Sequence, residues 1–142
     1  MLLVEGFLLA DALRLLGTQR ALVVQGEDGL DEVTIAGPTR VTEVAGEQLR
    51  NFSWTPSDFG LQPTSLEPLR VENADQSAEV IRQVLRGTPG TARDITVINA
   101  AAALWVAGKA ENPRQCAQLA AEAVDSGAAA NLLQRLVELT NS

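Results

Sequence analysis

Leu8, Leu9, Ala12, Leu13, Leu15 and Leu16 return at the spacing of a helix, and Gly17 is a natural stop. Ala21-Leu22-Val23-Val24 follows at once as an unbroken apolar run, which predicts a short strand covered on both faces. Gly26-Glu27-Asp28-Gly29-Leu30-Asp31-Glu32 then reads as a glycine-punctuated acidic loop. Val33-Thr34-Ile35 and Arg40-Val41-Thr42-Glu43-Val44 alternate with the period of strands, and Gly37-Pro38 separates them. Ala45-Gly46-Glu47 reads as a hairpin turn leading into Leu49-Arg50-Asn51-Phe52.

Beyond this β-rich middle, the stretch from Thr55 to Val71 carries Pro56, Pro63 and Pro68 and predicts a loop with one or two short helical turns. Ala78, Ile81, Val84 and Leu85 mark an amphipathic helix, with Asn73 or Asp75 as its cap and Gly87 as its stop. Thr91-x-x-Asp94 resembles a capping box for the next helix, which runs to Val106, is apolar nearly all round and is expected to lie in the core. Asn112-Pro113 opens a helix to about Asp125, and Gly127 separates it from a last helix ending near Leu139. Residues 1–142 therefore read as one α/β unit, a short β-rich middle followed by helices. No strand precedes the opening helix and strand, so the first strand is expected at an edge or short of neighbours. This is the pattern of a partial α/β domain whose chain begins inside something larger.

Composition narrows the chemistry. The 142 residues carry 11 Lys and Arg against 18 Asp and Glu, a net charge of -7. Lys109 is the only lysine and the arginines are scattered, so nucleic-acid binding is not expected. The absence of histidine removes Ser-His-Asp and Cys-His pairs and His-ligated metals. Cys116, the single cysteine, excludes an internal disulfide and a cysteine-ligated zinc. Glu5 and Asp11 interrupt the apolar N-terminus, which has no basic leader, and Val97 to Gly108 is too short to span a bilayer. The expectation is a cytoplasmic protein with no membrane segment.

Glu27, Asp28, Asp31 and Glu32 stand just past the carboxyl end of the first strand, where α/β sheets usually bind ligands. Carboxylates on a tight loop suit Mg²⁺, which takes hard oxygen donors and a phosphate partner. A solvated turn in an acidic protein is the plainer alternative, and the residues leave both open. Gly87-Thr88-Pro89-Gly90-Thr91 could cradle a phosphate, but it lacks the Walker lysine and reads better as a helix connection. Asn99, alone among apolar neighbours, needs a hydrogen bond if buried and reads as a pin between a core helix and a loop. Cys116 reads as a small buried hydrophobe, and Trp54 and Trp105 read as core.

The strand and loop Ala21-Leu22-Val23-Val24-Gln25-Gly26-Glu27-Asp28-Gly29-Leu30-Asp31-Glu32 resemble those of the anthranilate phosphoribosyltransferase family of tryptophan biosynthesis. The resemblance continues in order through Gly37-Pro38-Thr39-Arg40-Val41-x-Glu43, Asp58-Phe59-Gly60-Leu61 and Val84-Leu85-x-Gly87. It runs on through Asn99-Ala100-Ala101-Ala102-Ala103-Leu104 to Ala120-x-Glu122-Ala123-x-Asp125-Ser126-Gly127, almost the whole chain. It implies a nucleoside-phosphorylase-like, phosphoribosyltransferase α/β domain, of which this chain resembles the C-terminal portion. It also implies transfer of phosphoribosyl from phosphoribosyl pyrophosphate to anthranilate, a glycosyltransferase reaction dependent on Mg²⁺, with Asp31 and Glu32 matching the family's metal-holding pair. The family's Gly-Thr-Gly-Gly-Asp phosphate loop, Lys-His-Gly-Asn segment and anthranilate-contacting arginine have no counterpart here. The chain is accordingly expected to supply the metal-binding half and to turn over little alone, the full-length enzyme being expected as a homodimer. A non-catalytic truncated relative, serving as an interaction or regulatory module, is the alternative; a nucleoside phosphorylase relative ranks third.

Overall fold

The computed structural model describes the backbone of residues 2–141 and the side chains of residues 6–141. A first helix, α1 (Leu2–Leu15), leads into strand β1 (Arg20–Gly26), and β2 (Thr39–Ala45) and β3 (Gln48–Trp54) form a hairpin. Gly46, at φ 57°, supplies the left-handed residue that a two-residue hairpin loop requires. The proline-bearing stretch holds two short 3-10 turns, Pro56–Phe59 and Glu67–Leu69. Four helices complete the chain: α2 (Ala74–Leu85), α3 (Thr91–Val106), α4 (Pro113–Asp125) and α5 (Ala128–Thr140). Asn73 and Asn112 each accept the backbone N–H three residues on, at 2.9 Å, so α2 and α4 start at the asparagines that announced them.

The three strands lie in the order β1-β2-β3, all antiparallel, with Leu22 opposite Glu43 and Glu43 opposite Arg50. On one face α1 covers the sheet, burying Ala10 and Val44. On the other, Val41 and Trp54 pack into a core with Val33, Ile35, Val97, Ile98, Ala101, Cys116 and Ala120. Trp54 meets Phe59 and Trp105 edge-on, with ring centroids 5.1 and 6.1 Å apart. Cys116 is wholly buried, and desolvation pushes its thiol above the ordinary range, as suits a packing residue.

Four sequence expectations need correction. The run Ala21-Leu22-Val23-Val24 forms β1 at the outer position expected of a first strand, but it is half-buried and not covered on both faces. Val33-Thr34-Ile35 is deeply buried yet forms no strand, since side chains take Val33 N, Val33 O and Thr34 N, and Ile35 O accepts from Thr64 N. The Thr91-x-x-Asp94 box does not form: Gly90, at φ 145°, takes the cap position and Thr91 falls one place inside the helix. Helix α3 buries one face only. Thr96, Ala100 and Ala103 face outward, and their small side chains make that exposure inexpensive.

The open edge of β1 adjoins a chain that also exposes Phe7, Leu8, Leu9 and Leu15 on α1 and Leu132 and Leu136 on α5. Unpaired strand edges and contiguous apolar faces seek partners. Light scattering of the purified chain is expected to give masses above that of a monomer, rising with concentration; a monomer at every concentration would contradict this.

Candidate metal centre

The acidic loop joins the end of β1 to the buried Val33–Ile35 segment, and its hydrogen bonds sort the four carboxylates. Glu27 is turned toward Arg40 at 3.6 Å. Asp28 is consumed by the loop itself: one oxygen accepts from Leu30 N at 3.1 Å and the other from the Thr34 hydroxyl. Gly26 closes the turn, its N–H reaching Leu30 O at 2.8 Å and its carbonyl accepting from Gly29 N at 3.1 Å. A side chain at Gly26 would strike the Asp28 carboxylate and Thr34, so the clasp requires glycine there.

Past the loop, the buried segment is held largely by side chains. Asn99 Oδ1 accepts from Val33 N at 2.9 Å, and Asn99 Nδ2 donates to Val33 O at 2.9 Å and to Ile95 O within its own helix at 3.0 Å. Thr39 Oγ1 accepts from Thr34 N at 3.0 Å, and Thr34 Oγ1 accepts from Ala36 N at 3.0 Å. Backbone groups that burial would otherwise strand thus find partners. The sequence reads Asn99 as a pin between a helix and a loop, and the loop it pins is the acidic one. Thr34 and Thr39 carry no signal in the sequence beyond their place in an alternating run.

Asp31 and Glu32 remain. Both are exposed, and among the described residues neither carboxylate forms a hydrogen bond or an ion pair. They occupy the two-residue span between Leu30, tied back to Gly26, and Val33, tied to Asn99. Glu32 borders a hollow of about 330 Å³ walled by Leu69, Val80, Val84, Leu85 and Ile95. Desolvation against that wall, then the charges of Asp31 and Asp28, raise its pKa above the ordinary glutamate value. The described residues hold no cluster of three or more His, Cys, Asp or Glu side chains suited to a metal. A pair of free carboxylates fits an ion that keeps several waters and takes its remaining donors from a phosphate, which is the habit of Mg²⁺.

Because Glu32 is raised, its carboxylate is lost to protonation at a higher pH than an ordinary glutamate's as the solution is acidified. Carboxyl ¹³C titration of the metal-free chain is expected to place Glu32 above the ordinary value, and Asp31→Asn to bring it down by removing a neighbouring negative charge. A Glu32 midpoint indifferent to Asp31 would contradict that.

The remaining expected features lie elsewhere. Gly87-Thr88-Pro89-Gly90 connects α2 to α3, and no helix of the described residues is long and apolar enough to cross a membrane.

Residues 4–130 match the glycosyl transferase family, a/b domain, and the chain belongs to that family. Within it the chain is similar to anthranilate phosphoribosyltransferases. It is 48% identical over 132 residues to the one from Parvibaculum lavamentivorans and 42% identical over 134 residues to the one from Nitrosomonas eutropha. The matches take in 93% and 94% of this chain but 39% of each relative, so the chain spans well under half the length of the curated relatives it matches. The crystal structure of anthranilate phosphoribosyltransferase from Thermus thermophilus superposes with a TM-score of 0.83 at 34% identity, over 94% of this chain and 39% of that one. The Saccharomyces cerevisiae enzyme, solved in complex with phosphoribosyl pyrophosphate and Mg, gives a TM-score of 0.82 at 26% identity, over 91% of this chain and 38% of that one. The resemblance carried by the Gly-Leu-Asp-Glu loop and the segments after it is borne out, and the matched part is the C-terminal portion of those enzymes.

Proposed function

We propose that residues 1–142 form one partial α/β unit that supplies the metal-holding half of an anthranilate phosphoribosyltransferase, in which Asp31 and Glu32 hold Mg²⁺ on the pyrophosphate of phosphoribosyl pyrophosphate. The observation that carries this reading is the sorting of the acidic loop. Glu27 and Asp28 are spoken for within the chain, whereas the exposed Asp31 and Glu32 have no hydrogen-bond or ion-pair partner among the described residues. The likeness to a relative solved with phosphoribosyl pyrophosphate and Mg supports it.

Asp31 and Glu32 would hold Mg²⁺, and the ion would there supply neutralisation of the charge on a departing pyrophosphate. The chain's own part is to hold two carboxylates side by side on a short span fixed at both ends, so that little conformational freedom is lost when they close on a ligand. The amine of anthranilate is itself the nucleophile, so the reaction asks no covalent intermediate of the protein, and a chain without histidine can serve it. The phosphate loop and anthranilate-contacting arginine of the family belong to sequence not found in these residues. Turnover by this chain alone is therefore expected to be negligible, with a cytoplasmic, dimeric whole enzyme as the setting in which it works.

Titration calorimetry with inorganic pyrophosphate tests the reading. Binding is expected in Mg²⁺ and is expected to vanish on adding EDTA; binding of the same strength with and without metal would overturn it.

A further inference from the structure

Among the described residues the Asp31 and Glu32 carboxylates have no hydrogen bonds to fix where they point, so their placement depends on the backbone at either end of the span. The upstream end is local: the Gly26–Leu30 and Asp28–Leu30 bonds close a turn within five residues. The downstream end is not. Val33 N–H and Val33 C=O are both satisfied by one side chain, Asn99, which lies 66 residues away on α3. That amide spends its remaining hydrogen on Ile95 O of the same helix, so its orientation is set by three bonds of 2.9, 2.9 and 3.0 Å. The helix is itself anchored, with Ile98 and Ala101, the residues flanking Asn99 toward the core, fully buried.

We infer that Asn99 is a positioning residue that sets the placement of the Asp31–Glu32 pair through the backbone of Val33, coupling the ion-holding carboxylates to helix α3. The consequence for ion binding rests on the metal reading of that pair. The arrangement resembles the outer-shell partners that orient metal ligands, except that it grips the main chain next to the ligands and not the ligands themselves. Asn suits the position because its amide oxygen accepts from the Val33 N–H while its two N–H groups donate to Val33 O and Ile95 O. Asp at 99 would keep the acceptor and lose both donors.

Two readouts on the full chain separate this inference from the metal reading. The first needs no metal: hydrogen exchange of the Val33 amide. In Asn99→Ala and in Asn99→Asp, which turns an acceptor toward the carbonyls of Val33 and Ile95, exchange at residues 31–36 is expected to quicken while amides of α4 keep wild-type rates. The second is affinity for Mn²⁺ with pyrophosphate, followed by electron paramagnetic resonance. Asn99→Ala is expected to weaken it by about tenfold or more, as loss of an outer-shell partner does. Asn99→Asp, which loses both donors, is expected to weaken it as well, and Ile98→Val, a trimming of the neighbouring core residue, to leave it unchanged.

If the Asn99 variants fold and bind Mn²⁺-pyrophosphate as the wild type does, the inference is overturned and the metal reading stands. If the wild type binds no Mn²⁺-pyrophosphate while residues 31–36 loosen in Asn99→Asp, the positioning role stands and the metal reading falls. If exchange at residues 31–36 is unaltered in both variants, Asn99 does not position the pair.

Discussion

Asp31→Asn combined with Glu32→Gln is expected to weaken Mg²⁺-dependent pyrophosphate binding by at least about 100-fold, beyond the 10–100-fold typical of losing an outer-shell partner, because it removes the ligands themselves. The substitutions keep shape and remove charge, so the fold has no reason to change. Both side chains are exposed, and neither forms a hydrogen bond or ion pair among the described residues. Removing two adjacent negative charges from a surface loop is, if anything, expected to relieve repulsion, since Glu32 already carries a raised pKa from its surroundings. Glu27→Gln provides the contrast. It breaks only an exposed pair at 3.6 Å and is expected to leave binding within a factor of a few. Calorimetry on the three chains decides: equal losses in the double variant and in Glu27→Gln would mean that net loop charge, not a specific pair, attracts the ligand.

The second large effect concerns stability. Glu43 sits in the middle of β2 with its side chain 2% exposed, and it lies between Arg20 of β1 at 3.1 Å and Arg50 of β3 at 2.9 Å. The register puts Arg50 directly opposite it, while Arg20 reaches it from a diagonal position and also stacks on Trp105 of α3, 5.0 Å from the ring centroid. A buried carboxylate is tolerable only with its partners in place, so the damaging change is the one that strands it. Arg20→Met leaves Glu43 with Arg50 alone and is expected to cost about 2 kcal/mol and to lower Tm by roughly 4–8 °C. Arg50, more exposed, is expected to cost less on the same change. Adding Glu43→Met to Arg20→Met is expected to recover much of the loss, since it removes the buried charge and leaves Arg50, whose side chain is 60% exposed, to water. A double variant less stable than Arg20→Met alone would show that the charge on Glu43 is not what the arginine offsets.

These expectations draw on features that stood at different depths in the sequence. The helices were legible because their signals are local: Asn73 and Asn112-Pro113 cap α2 and α4, and Gly127 precedes α5. The hairpin was legible for the same reason, through Gly46. Val33-Thr34-Ile35 misled because an alternating β-branched run reads as a strand whatever satisfies its backbone. Its partners are Thr39 and Asn99, and the second is 66 residues distant. The acidic loop was legible as a loop, and the resemblance singled out Asp31 and Glu32. Its internal division was not, since only folding reveals that Asp28 turns back onto Leu30 and Thr34. Glu43 was the hardest to foresee. A charged residue in an alternating strand reads as half exposed, and only the register of three strands brings two arginines onto it.

The reading of the acidic loop makes a demand on the assembled enzyme. Joining this chain to the preceding part of the Parvibaculum lavamentivorans relative, in place of that enzyme's matched portion, gives a protein whose formation of phosphoribosyl-anthranilate from phosphoribosyl pyrophosphate and anthranilate can be followed directly. Mg²⁺-dependent turnover is expected, and it is expected to disappear when Asp31 and Glu32 are replaced together by Asn and Gln. A folded chimera that turns over equally well with those two residues replaced would contradict it.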